Sequence, residues 1–118
     1  MKNLNYFDRI LFYKGQIDFR KRRKSLAAIV QNVLNEDPFS KTFFLFLNKS
    51  KTCVRALYWN GSGFAMWELE LEQEKFPLPR KMERLGVLEL TVEQLEWFLS
   101  GIDFWNMKHH KKLEYSLV

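Results

Sequence analysis

Apolar and polar positions follow two periods along the chain, and the switches between them mark out the elements. Residues 9–13, Arg-Ile-Leu-Phe-Tyr, are short, β-branched and aromatic, with Gly15 just beyond, and they predict a strand. After the basic run Arg20-Lys21-Arg22-Arg23-Lys24, apolar residues recur at Leu26, Ile29, Val30, Val33 and Leu34. That is the i, i+3, i+4, i+7 spacing of an amphipathic helix. Asp18 or Ser25 would cap it, and Asp37-Pro38 would end it, because a residue before proline resists the α region. Residues 42–47 are almost continuously apolar, which predicts a central strand buried on both faces. A polar turn over 48–52 leads to a strand at 54–59. The tetrapeptide Asn60-Gly61-Ser62-Gly63 then signals a hairpin, since Asn and Gly tolerate positive φ. The return strand at 64–71 alternates, with Trp67, Leu69 and Leu71 on one face and Glu68, Glu70 and Glu72 on the other. Pro77 and Pro79 break the pattern and open a loop of about ten residues.

The second helix carries the clearest signals. Thr91 and Gln94 have capping-box spacing, and Leu90 and Leu95 fit the hydrophobic staple around that cap. Leu95, Phe98 and Leu99 form the buried stripe, and Gly101 supplies a left-handed stop. The order strand, helix, three strands, helix predicts an α+β fold: a small antiparallel sheet of about four strands with two main helices. One domain is expected, with its core over about 9–104 and a basic tail, 105–118, that frays.

Composition supports a packed core. Of 118 residues, 47% are apolar and 16% aromatic, far from the profile of a disordered chain. A chain this long buries roughly 65% of its unfolded surface without staples. The apolar run at 43–47 is much shorter than the ~20 residues of a membrane-spanning helix, and the polar start lacks a signal-peptide core. With one cysteine, Cys53, no internal disulfide forms, which points to the cytoplasm. The net charge of +5 is unevenly spread: residues 1–24 carry eight basic and two acidic side chains, and the rest carry eleven and twelve. The excess therefore sits in the first fifth of the chain, as a footprint for nucleic acid or an acidic partner.

Two readings of the basic run stand. If the helix starts near Phe19, five cations fill its first turn and a half, against a macrodipole that favours anions there by about 0.3–1 kcal/mol per charge. A bound phosphate would reverse that conflict. If the helix starts at Ser25, the run is a solvated approach segment. The acidic series Glu68, Glu70, Glu72 and Glu74 lacks convergent support for a metal, and Lys51 and Arg55 lie opposite or diagonal to it, so cross-strand pairing is the favoured reading. His109 and His110 stand between lysines with no third ligand; Cys53 has no paired histidine and reads as a small core or edge residue. Asp18, Asp37 and Asp103 could be drawn together as a carboxylate triad, but each has a local role as cap, turn or helix stop. No glycine-rich phosphate loop, Gly-x-Ser-x-Gly elbow or Cys-x-x-Cys pair is present. The sequence thus offers no catalytic residues, metal ligands or cofactor site. Trp59, Trp67, Trp97 and Trp105 are core and rim, or anchors of a protein surface.

Several phrases together resemble one family. They are Asp18-Phe19-Arg20-Lys21, Leu26-Ala27-Ala28-Ile29-Val30-Gln31, Leu34-Asn35-Glu36-Asp37-Pro38-Phe39-Ser40, Leu57-Tyr58-Trp59-Asn60-Gly61-Ser62-Gly63-Phe64, Leu90-Thr91, Gln94-Leu95 and Leu99 with Gly101-Ile102-Asp103. In this order they resemble the TnpB-type accessory protein, the second open reading frame, of IS66-family insertion sequences, over about residues 9–104. The resemblance implies a small non-enzymatic protein, encoded beside a separate transposase and needed for the element to move. It supplies no catalytic residues. Asn60 stands where the family usually has Asp, and Leu69-Glu70 where it usually has a Lys-Arg pair. The resulting expectation is an accessory factor that binds DNA, the transposase, or both. Arg20, Lys21, Arg22, Arg23 and Lys24 are the candidate phosphate contacts, with Lys108, Lys111 and Lys112 as a second patch. Such contacts position rather than specify. The alternative is a pure protein-interaction module presenting an aromatic hairpin, with Trp59, Trp67 and Trp97 as candidate contacts.

Overall fold

In the computed structural model, residues 3–17, 19, 23–78 and 86–106 are described. The elements in chain order are β1 (Arg9–Ile17), α1 (Arg23–Asn32), β2 (Thr42–Asn48), β3 (Cys53–Trp59), β4 (Phe64–Glu70), β5 (Val87–Leu90) and α2 (Val92–Leu99), with 3-10 turns at Leu4–Tyr6 and Phe104–Asn106. The fold is α+β, as expected. Its sheet has five strands in the order β4-β3-β2-β1-β5.

The sheet is mixed: β1 and β2 run parallel and every other pair is antiparallel. A parallel pair needs a crossover connection, and α1 is that crossover. The fifth strand, β5, has only four residues, alternating exposed and buried, too short to announce itself beside the helix cap that follows. β1 continues past Gly15, and its register against β2 slips between Tyr13 and Ile17.

The continuous apolar run of β2 feeds two cores. Phe43, Leu45 and Leu47 join the layer beneath α2, while Phe44 and Phe46 join the layer beneath α1. Burial on both faces is what a central strand with α1 on one side and α2 on the other requires. In the α2 layer, Phe98 is the hub, with ring centroids 5.1 Å from Phe12 and 5.2 Å from Phe76.

The helix ends follow local chemistry. Thr91 and Gln94 form the reciprocal capping box, at 3.1 and 3.0 Å, and Leu90 and Leu95 are both buried around it. At the other end Gly101 has φ +79, its N–H donates to Phe98 O, and the Ile102 N–H donates to Trp97 O, which is a Schellman closure. α1 stops earlier than its apolar pattern. Asn35 adopts φ +54 before Asp37-Pro38 is reached, and Val33 is left 55% exposed while Leu26 and Val30 are fully buried. The segment after β4 is not an open loop. The Phe76 N–H donates to Lys51 O, Phe76 and Leu78 are buried, and the buried Trp105 donates its indole N–H to Pro77 O at 2.5 Å. Trp105, at the start of the expected frayed tail, is therefore packed under α2's core layer.

Candidate nucleic-acid interface

The chain enters α1 from a fixed point. Arg55, on β3, reaches across the α1 face of the sheet and donates from Nη1 to the carbonyl of Phe19 at 2.6 Å. Its guanidinium carbon lies 4.6 Å from the centroid of the Phe19 ring. The other edge of the guanidinium meets Glu68 on β4, with Nε and Nη2 at 2.7 and 2.5 Å from Oε1. Arg55 and Glu68 are register partners across the β3–β4 ladder, so the hairpin geometry delivers the pair. The acidic series therefore acts in cross-strand pairing at Glu68, as its spacing predicted.

This clamp sits one residue before the basic run. Of that run, Arg20, Lys21 and Arg22 lie outside the described residues, as do the Asp18 cap, Lys108, His109, His110, Lys111 and Lys112. Arg23 opens α1 and is exposed, Lys24 follows it within the helix, and the first turn carries no acidic residue. Of the two helix starts weighed from sequence, the one at Ser25 does not hold, since Arg23 and Lys24 are already helical; the one near Phe19 falls on residues outside the described set.

The aromatic candidates part company. Trp59, at the end of β3, is half-buried and makes edge contacts with Phe39 at 4.9 Å and Phe64 at 5.1 Å. Phe39 itself is 57% exposed, so this trio forms an aromatic corner beside the Asn60–Gly63 turn. Trp67 is half-buried against the α2 layer on the opposite face of β4, and Trp97 packs on Phe104 at 6.0 Å. The three tryptophans thus do not converge on one surface. Sequence reasoning missed Phe39, since a phenylalanine after Asp-Pro in a polar turn carries no periodic signal. It also missed Arg55 as an anchor of Phe19, because only the folded sheet brings the two together.

Cys53 is buried in β3, where burial, aided by Glu68 and Glu70, pushes its thiol up to about 11. That is the core residue expected from sequence, and a poor nucleophile at neutral pH. Asp37 accepts the Phe39 N–H at 2.9 Å in an Asx turn, the local role assigned to it. Among the described residues no three His, Cys, Asp or Glu side chains gather as a metal site, and no helix is long and apolar enough to cross a membrane. A shallow depression of about 240 Å³ beside β1, β5 and the start of α2 is lined by Arg9, already paired to Glu36 at 2.9 Å and to Glu89 at 3.3 Å.

Residues 8–109 match the family model described as "IS66 Orf2 like protein". Two proteins of Sinorhizobium fredii are similar along most of their length. "Uncharacterized protein y4jC" is 31% identical over 100 residues, covering 85% of this chain and 84% of that protein. "Uncharacterized protein y4hO" is 29% identical over 96 residues, covering 81% and 82%. No solved structure matches the chain.

Proposed function

The chain belongs to the IS66 Orf2-like family, and from that premise we propose that it is a non-enzymatic accessory protein of an insertion sequence that assists DNA transposition by binding DNA phosphates. Its compartment in this reading is the bacterial cytoplasm, and the separately encoded transposase is its protein partner. The basic run Arg20, Lys21, Arg22, Arg23 and Lys24 makes the contacts, with Lys108, Lys111 and Lys112 as a second patch. The observation that supports this is the opening of α1. An exposed Arg23 stands in a first turn that has no acid to satisfy its N–H groups or offset its cations. An anion there gains from both the helix N-terminus and the side chains. Anchoring of Phe19 by Arg55 holds the approach to that turn against the sheet.

The test is duplex affinity measured against salt. Each neutralised phosphate contributes about −0.9 to the slope of log K against log salt, so replacing residues 20–24 by neutral side chains should flatten the slope by about 4 to 5. Absence of binding at low salt refutes the DNA reading. A second reading is favoured by the exposed Phe39 with Trp59 and Phe64: a protein-interaction corner for the transposase, without DNA contact. It predicts co-purification that survives nuclease treatment and is lost in Phe39→Ser.

A further inference from the structure

The two edges of the sheet are built differently. β5 has four residues, too few to template another strand. β4 has seven, contains neither proline nor glycine, and leaves every residue half-buried or exposed. Among the described residues nothing pairs with its outer side.

The hydrogen bonds that bracket the β3–β4 ladder fix which groups face out. Asn60 N donates to Gly63 O, and Leu71 N donates to Thr52 O, both in the register of the ladder. Odd-numbered residues of β4 therefore exchange hydrogen bonds with β3, and the N–H and C=O of Phe64, Met66, Glu68 and Glu70 point away from the sheet. Among the described residues these groups have no backbone partner, and such a row along roughly 23 Å of strand is a template for a further strand.

We propose that the occupant is a second copy of this chain, joined β4 to β4 in antiparallel fashion about a two-fold axis at Trp67. The choice of register rests on charge and overlap. Centred on Trp67, all seven residues pair, Glu68 faces Met66 of the other copy, and Glu70 faces its Phe64. Centred on Glu68, two carboxylates meet directly, which is destabilising. Centred on Met66, the pairing runs into the Asn60–Gly63 turn and Glu70 loses its partner. Only the Trp67 register avoids both faults, and it sets the two half-exposed indoles side by side in a non-hydrogen-bonded pair. Glu68 enters the junction already neutralised by Arg55.

Such a junction makes one ten-stranded sheet and keeps like faces together. α1 packs over β3 and β4, so both copies of α1 fall on one face. Each Arg55–Phe19 clamp then lies one strand in from the junction and offset about one residue along it from the axis, and the two exposed Arg23 side chains share that face. The pairing does not depend on the DNA reading.

The experiment uses the full chain in sedimentation equilibrium and oxidative cross-linking. Wild type is expected to approach twice the monomer mass as concentration rises. Met66→Pro removes an outward N–H, leaves the β3 ladder intact, and should raise the dimer dissociation constant at least tenfold with the far-UV spectrum retained. In a Cys53→Ser background, Trp67→Cys should form a disulfide-linked dimer, because facing residues of such a pair have Cα atoms about 4.5 Å apart, within disulfide range. Leu69→Cys alone should not, since its copies would stand roughly 13 Å apart. Should Trp67→Cys fail to fold, a mixture of Ala65→Cys and Leu69→Cys chains reports the same register by forming the mixed disulfide. A wild type that stays monomeric, a Met66→Pro dimer of unchanged affinity, or cross-linking through Leu69→Cys alone overturns the proposal.

Discussion

Replacing Arg55 should harm the fold far more than replacing its ion-pair partner, and the structure says by how much. The guanidinium is 12% exposed and, among the described residues, holds both the Phe19 carbonyl and Glu68, which is 45% exposed. The bond to the Phe19 carbonyl is a charge-assisted hydrogen bond, of a kind that contributes about 1.5–3 kcal/mol. The stacked ring adds about 0.5–1 kcal/mol. The half-exposed carboxylate adds less, because solvent screens it, on the order of 0.2–1 kcal/mol. Arg55→Met should therefore destabilise by about 2–5 kcal/mol, and Glu68→Gln, which keeps an acceptor oxygen for the guanidinium, by about 1 kcal/mol or less. For a chain of this length each kcal/mol lowers the melting temperature by about 4 °C, so thermal unfolding followed by circular dichroism should show drops of about 8–20 °C and at most about 4 °C. The double variant should show a coupling no larger than the Glu68→Gln effect itself. Arg55→Lys should recover only part of the loss, since an ammonium cannot span Phe19 and Glu68 with one planar fork. If Arg55→Met and Glu68→Gln cost the same and their coupling equals that loss, Arg55 serves the ion pair alone. The anchoring of Phe19 would then be refuted.

Three other outcomes follow from local geometry. Gly101→Ala meets open space but must hold φ +79, so it should cost about 1–2 kcal/mol, and Gly101→Asn should cost less. Thr91→Ala should cost about 1 kcal/mol by removing the acceptor for the Gln94 N–H, with Thr91→Ser close to wild type; chemical denaturation reads both. The raised thiol of Cys53 makes stability depend on pH in one direction. Below pH 9 both folded and unfolded chains hold the proton; above it the unfolded chain releases first, so stability falls as pH rises from about 9 to 11, by on the order of 3 kcal/mol for this group. Cys53→Ala should flatten that part of the pH profile, and an unchanged slope would show that the thiol is not held neutral.

The elements whose boundaries rest on adjacent residues were legible from sequence, and those that rest on distant ones were not. The α2 caps, the β3–β4 turn and the alternation of β4 all depend on contacts within a few residues, and the observed geometry agrees at Thr91, Gly101 and Arg55–Glu68. The parallel β1–β2 pairing depends on where the whole α1 crossover lands, and no local pattern encodes that. β5 exists because Leu88 and Leu90 fill the layer above Phe12, a demand set by β1 rather than by its own four residues. Val33 belongs to the helical period yet is exposed, because Asn35 in the left-handed region ends α1 before the period does. The same limit separates the candidate residues. The charge run could be seen in the chain, but Arg55, which ties its approach to the sheet, lies 36 positions from Phe19.

That tie bears on why the charges are distributed as they are. The net +6 of residues 1–24 does not form a separate arm, because β1 lies inside the sheet; five of its cations follow β1 as the run 20–24. Arg55 is a further cation, placed beside Phe19 at the head of that run, where it would add to the repulsion. Glu68 offsets it, with the ion pair lying on the sheet while the guanidinium also bonds the Phe19 carbonyl. The carboxylate row that first invites a metal site thus offsets the charge of the arginine that holds Phe19. Arg23 is exposed in a first turn of α1 that carries no acidic residue, where a helix N-terminus favours an anion. Glu68→Lys reverses this arrangement: it should loosen Phe19 by repelling Arg55. Trypsin cleavage after Arg23 should then accelerate, while Glu72→Lys, farther along the same acidic row, should leave it unchanged.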